Sequence, residues 1–273
     1  MKKRCKRSLT GIVAIILTLF LTGCARIHAQ KMSEPELVIG GSVYAPYFYR
    51  DINGEYAGID VEVAKEACRR IGYKPVIKEI EVSDRFASLR NGEVDCLWTC
   101  LTMTGREERY QWAGPYLYTQ RVVAVHSDSS IQSLDDLKNR RVAVQAGSTS
   151  EQIILDSVSP DFPKVAQLTC FRSLDQVFTA LRKGYVDAMV GHEGSLKAYT
   201  EEYPDQYRFL QMSLRSEPVG VAFLRDSDPT VTQQLNQAFQ EMREDGTLEE
   251  IIETYDLDVE KNVYGGSADE QIY

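Results

Sequence analysis

Two stretches decide how this chain is built: Leu89-Arg90-Asn91-Gly92-Glu93-Val94-Asp95 and Leu181-Arg182-Lys183-Gly184-Tyr185-Val186-Asp187. Each ends an amphipathic run at a glycine and enters an apolar run through Val-Asp, the pattern of a helix that stops and turns into a strand. The elements leading up to the two junctions also match. Before the first come a strand at Leu37–Gly41, a helix capped by Asp60 with Val61, Ala64, Ala67, Cys68 and Ile71 on one face, a strand at Pro75–Ile80 and a helix at Asp84–Arg90. Before the second come a strand at Arg141–Gln145, a helix at Thr149–Val158 and a strand at Val165–Thr169. A helix capped by Ser173 and Gln176 then carries Leu174, Val177, Phe178 and Leu181. Strands follow both junctions, at Val94–Trp98 and Val186–Val190. Two copies of one βαβαβ series predict an α/β chain of two lobes, each a mainly parallel sheet flanked by helices.

The C-terminal part belongs to neither copy. Val219–Leu224 reads as a strand, and Asp228-Pro229 as a cap with proline at the first helical position. Val231, Leu235, Ala238, Phe239 and Met242 then form one apolar stripe, and Leu248, Ile251 and Ile252 suggest a short helix. A lobe that is left and later rejoined explains this order, with crossings at Tyr118–His126 and Leu210–Val219. The expected division is lobe one at 37–118 plus 220–260, lobe two with the crossover strands at 119–219, and a tail at 261–273.

Composition excludes several classes. With 43% hydrophobic and 26% charged residues in 273, the chain is globular rather than disordered. A net charge of −9 disfavours nucleic acid as a partner. Three histidines leave little for a histidine-based metal site, and Cys96-x-x-x-Cys100 has no second pair at metal spacing, so neither metal nor cofactor is expected. Cys68 pairing with Cys96 or Cys100 stays open.

Residues 1–23 read as an export leader: a basic start, then an apolar run from Leu9 to Leu21 that is short for a membrane span. The leader ends in Leu21-Thr22-Gly23-Cys24, which resembles the lipobox of bacterial lipoproteins. That resemblance implies lipidation (palmitate among the acyl groups) of Cys24, a linker at 24–36 and attachment to the extracytoplasmic face of the cell membrane. Loss of five basic residues with the leader leaves 26 basic against 40 acidic residues, a formal charge of −14.

In open α/β sheets ligands sit beyond the carboxyl ends of the strands. The rule picks Val43–Phe48, Thr99–Arg106, Gly147–Ser150 and Gly191–Glu193. Arg106 is suited to grip a carboxylate through two parallel hydrogen bonds. Ser148 and Thr149 open a helix and serve either an anion or the cap. Tyr44, with Tyr47 and Phe48 beside it, is the candidate wall over a ligand. His192 and Glu193 face the same cleft.

Gly58-Ile59-Asp60-Val61-Glu62-Val63-Ala64-Lys65-Glu66-Ala67-Cys68, Tyr44-Ala45-Pro46, Thr102-Met103-Thr104-Gly105-Arg106, Gly114-Pro115-Tyr116 and Gly184-Tyr185-Val186-Asp187-Ala188 together resemble bacterial extracellular solute-binding proteins of the polar amino acid class. The resemblance implies a periplasmic-binding-protein-like fold with two crossover strands. It implies an amino acid closed between the lobes, and a monomer that hands it to the membrane permease of an ABC importer. By position, Tyr44 would stack on the ligand, Thr99, Cys100 and Thr102 would contact it, and Arg106 and Thr149 would hold its α-carboxylate. The family's amino-binding aspartate falls on His192, so either Glu193 takes over the ammonium contact or His192 marks a different ligand. Val82 stands where a second aromatic wall is expected. Exported prephenate or arogenate dehydratases share the fold, so an enzyme with His192 or Glu193 as acid is the alternative, and a ligand sensor is a third reading.

Overall fold

The computed structural model describes residues 34–155, 162–203, 205–212 and 216–266. The leader, Cys24 and most of the linker lie outside the described residues. Strand β1 (Glu36–Gly41) is followed by a hairpin of β2 (Tyr49–Arg50) and β3 (Tyr56–Ala57) and then by β4 (Lys74–Glu79), β5 (Cys96–Thr102) and β6 (Tyr110–Thr119). The second half supplies β7 (Arg121–His126), β8 (Arg141–Gln145), β9 (Gln167–Phe171), β10 (Ala188–His192), β11 (Tyr207–Gln211) and β12 (Glu217–Leu224).

Two five-stranded sheets result, ordered β4-β1-β5-β12-β6 and β9-β8-β10-β7-β11. In both, three parallel strands are followed by one antiparallel strand. That fourth strand is β7 in the second sheet and β12 in the first, so the chain returns after building the second sheet to add β12 to the first. Only Gln120 separates β6 from β7. The fold is the two-lobed α/β class that the repeated series implies.

The junctions that announced the repeat do one job twice. Gly92 and Gly184 sit at φ 72° and 69°, where a side chain is disfavoured, and close their helices with backbone bonds to Leu89 and Leu181. Leu89, Val94, Leu181 and Val186 are buried anchors. Asp95 then exchanges two bonds with the neighbouring strand, its carboxylate accepting from Val38 N–H at 2.7 Å and its own N–H donating to Val38 O at 2.7 Å. Asp187 does the same with Arg141, at 2.8 Å both ways.

Several boundaries differ from expectation. The helix α1 (Ile59–Ile71) begins before Asp60, with Gly58 as its cap. The carbonyls of Pro46 and Tyr47 satisfy the first N–H groups, which frees the Asp60 side chain for another task. The short helix α2 (Arg85–Arg90) follows a 3-10 turn at Val82–Asp84. The strands β5 and β10 begin two residues later than expected and run on to Thr102 and His192, because β12 and β7 pair with their polar ends. The strand β6 was unexpected. Its Gly114 and Pro115 suit an edge strand, which pairs on one side only.

The helix α3 (Thr149–Leu155) is described to Leu155 only. The helix α4 (Leu174–Arg182) has the expected Ser173–Gln176 capping box. Behind β10 comes α5 (Glu193–Thr200), and α6 (Thr230–Glu244) starts one residue later than expected, with Asp228 accepting from Thr230 N–H at 2.8 Å. The short helix α7 (Thr247–Thr254) is followed by α8 (Val259–Val263), which occupies the start of the segment read as a tail.

The core of the first lobe centres on aromatic rings: Trp98, Tyr116 and Phe239 lie with centroids 5.5–5.7 Å apart. The second is aliphatic around β7, β8 and β10, with Val122, Ala143, Met189 and Val190 buried.

Candidate functional site

The carboxyl ends of β5, β8 and β10 and the loop after β1 converge on a cleft of about 500 Å³, counted to its open mouth. Tyr44, Val82, Arg85, Thr99, Cys100, Leu101 and Arg106 line it from one side. Arg121, Gln145, Gly147, Ser148, Thr149, Ser150, Leu174, Val190, Gly191 and His192 line it from the other. No aspartate or glutamate is among these lining residues.

Arg106 spans the cleft. Its Nη1 donates to Thr149 Oγ1 at 2.7 Å and to Thr102 Oγ1 at 3.2 Å, and its Nη2 donates to Gln152 Oε1 at 3.0 Å. Thr102 and Thr149 hydroxyls are themselves 3.2 Å apart. Arg85 stands on the same wall, donating to Ser42 Oγ at 2.9 Å and to Thr99 Oγ1 at 3.2 Å. Burial and the neighbouring Arg106 charge lower the Arg85 pKa to about 10, and burial lowers that of Arg106 as well.

Arg121 sits at the opposite wall, 3% exposed, and is the cleft cation with a carboxylate partner: Glu217 lies 2.5 Å away. It also donates to Ser150 Oγ at 2.6 Å and approaches His192 Nε2 at 3.4 Å. Guanidinium nitrogens only donate, so Nε2 accepts and the imidazole proton belongs on Nδ1, which faces Cys100 Sγ at 3.2 Å. Burial, then Arg121, Arg106 and Arg85, push the His192 pKa well below its usual value, and burial pushes the Cys100 thiol well above its own. Burial thus favours the uncharged form of each, against an imidazolium acid and a thiolate nucleophile.

Two backbone amides at the cleft floor are held by side chains. Cys100, at φ 46°, donates its N–H to Asp60 Oδ2 at 2.6 Å, and Tyr116 OH donates to the other oxygen at 2.6 Å. His192 donates its N–H to Tyr44 OH at 3.2 Å, with the Tyr44 and His192 rings edge to face at 5.6 Å. Burial raises the Tyr44 phenol to about 12.

Of the residues singled out from sequence, Tyr44, Thr99, Cys100, Arg106, Ser148, Thr149 and His192 share the cleft, and Thr102 touches both Arg106 and Thr149. Ser148 doubles as a cap, its Oγ accepting from Glu151 N–H at 3.2 Å. Glu193 lies apart: it pairs with Lys197 at 2.7 Å and lines a separate hollow with Thr119, Gln120 and Asp258. Cys68, Cys96, Cys100 and Cys170 are free thiols, and no metal-binding cluster occurs among the described residues.

Arg85 and Arg121 were missed. Arg121 left a signal, a charge opening the apolar run Val122–Val125. Arg85 left none, since an arginine in the first turn of a short helix is the pattern of an ordinary exposed residue.

The family described as bacterial extracellular solute-binding proteins, family 3, matches residues 37–258. A histidine-binding periplasmic protein of Escherichia coli (strain K12) is 30% identical over 236 residues, covering 82% of this chain and 86% of its own. An arginine-binding extracellular protein of Bacillus subtilis is 26% identical over 249 residues, covering 90% and 96%. Among solved structures, an ancestral arginine-binding protein bound to arginine is similar at a TM-score of 0.71 and 28% identity, covering 82% of this chain and 99% of that one. An ancestral amino acid-binding protein, described as a precursor of cyclohexadienyl dehydratase, is similar at 0.71 and 27%, covering 82% and 96%.

Proposed function

The chain belongs to the bacterial extracellular solute-binding proteins of family 3, and we propose that it is the binding component of an ABC importer, closing on an amino acid or a close chemical relative without transforming it. One observation carries the reading: Arg106 on one wall is aimed at Thr149 on the other, in a cleft at the strand ends. A ligand carboxylate between them would draw on the guanidinium and both threonine hydroxyls. Tyr44 would cover the ligand, with Thr99, Cys100, Ser148 and His192 around it. Binding without turnover is favoured because the two candidate acids are poorly suited: burial and three arginines disfavour the charged imidazole of His192, and Glu193 lies outside the cleft.

Lipid attachment at Cys24 to the extracytoplasmic face, a monomeric state and a membrane permease as partner complete the proposal. Cys24→Ala is expected to release the protein from the membrane fraction; retention would remove the anchor from the account.

The functional test is a thermal-shift panel of amino acids, followed by calorimetry on Arg106→Ala. A ligand at about 100 times its Kd adds roughly 2.7 kcal/mol of stability. Arg106→Ala is expected to cost about 2–5 kcal/mol of binding. Unchanged affinity would remove Arg106 from the site, and turnover of prephenate or arogenate would replace binding with catalysis.

A further inference from the structure

The charge balance of the cleft narrows the class of its occupant. Three guanidiniums line it, and Arg121 alone has a carboxylate within 4 Å among the described residues, Glu217. The partners of Arg85 are hydroxyls, and those of Arg106 are hydroxyl, backbone and amide oxygens, all neutral. Arginine keeps its proton, so two positive charges face the cleft with no carboxylate at ion-pair distance among the described residues. Cations withdrawn from water are costly unless paired, and here the protein does not pair them.

Among the described residues no carboxylate lines the cleft. The nearby carboxyl of Asp60 is occupied by Cys100 N–H and Tyr116 OH. The His192 ring has its lone pair toward Arg121 and its N–H toward Cys100, which leaves no acceptor for an ammonium group.

Resting on the reading of this cleft as the ligand site, we propose that the ligand is a small organic acid with two carboxylates. One is gripped by Arg106 with Thr102 and Thr149. The other is gripped by Arg85, with the Ser42 and Thr99 hydroxyls holding that guanidinium in place. Acidic amino acids and dicarboxylic acids without an amino group share this chemistry. A cationic amino acid would meet two guanidiniums and no carboxylate, and is excluded.

Isothermal calorimetry of the purified protein against glutamate, aspartate, glutarate, 2-oxoglutarate, glutamine, histidine and arginine tests the proposal. At least one diacid is expected to bind, about 30-fold or more tighter than its mono-carboxylate counterpart, the magnitude of a lost buried charge pair. Glutarate matching glutamate would identify dicarboxylic acids as the source, and glutamate binding far better would identify acidic amino acids. Arg85→Gln is expected to bring the diacid preference close to one, with its ligand-free melting temperature as the folding control. If that variant does not fold, the wild-type panel still decides. Glutamine, histidine or arginine binding most tightly would overturn the diacid inference and leave the amino acid reading standing. Silence across the whole panel would overturn both.

Discussion

The strands β5 and β10 begin alike and end unlike. At their starts, Gly92 and Gly184 share a conformation, and Asp95 and Asp187 exchange the same two bonds with the backbone of a neighbouring strand, to which Asp187 adds an ion pair with the Arg141 side chain at 2.6 Å. Five residues beyond each aspartate stand Cys100 and His192, which meet across the cleft at 3.2 Å. Their backbone amides are caught by different groups, a buried carboxyl in one case and a phenol from the loop after β1 in the other. The start of such a strand answers mainly to backbone geometry, which is the same problem in both lobes. The far end answers to what it meets, and there the copies were free to differ.

Midway along, third after each aspartate, the contrast is already large. Trp98→Ala is expected to cost about 3–5 kcal/mol, and Val190→Ala about 2 kcal/mol, read from urea unfolding. Equal losses would mean that the aromatic core of the first lobe carries no extra weight.

The two amide anchors should separate by pH. Burial raises Asp60 from 3.8 to about 6, so below pH 3.8 it is protonated in the folded and unfolded chain alike. As pH rises from there to 6 the unfolded chain ionises first, and folding stability falls by about 3 kcal/mol at most. Asp60→Asn should flatten this part of the stability profile, whereas Tyr44→Phe should leave it in place. A slope that survives in Asp60→Asn would assign the titration to another group.

The likeness of the strand starts can be broken in turn. Gly92→Ala and Gly184→Ala should each cost about 1–2 kcal/mol, and by similar amounts, since only the left-handed backbone is at stake. No atom lies within 4 Å of where either added carbon would stand. Clearly unequal losses would show that the two junctions are alike in sequence alone. The smallest effect is expected at Glu193, whose exchange for glutamine should leave ligand affinity unchanged, because its carboxylate faces Lys197 outside the cleft.

The family, the two-lobed fold and most of the cleft were legible in the sequence. Glycine stops, the Ser173 capping box and apolar periodicity are local signals, each set by neighbours a few residues away. The edge strand β6 was illegible because Gly114 and Pro115 argue against a strand until one knows that it pairs on one side only. Asp60 looked like a cap because nothing nearby in sequence shows that Pro46 and Tyr47 carbonyls already serve that helix end.

By itself the sequence determined the repeated series, the segments that gather at the cleft and the arginine and threonine that face each other there. Only the tertiary structure decided the electrostatics of the cleft. It carried Glu193 away on the first turn of a helix, brought Arg85 in from a turn that reads as surface, and matched Glu217 to Arg121 across 96 residues of chain. The physical reason is range: helix stops and strand periods are settled over a few residues, whereas charges balance over distances in space that the order of residues does not record.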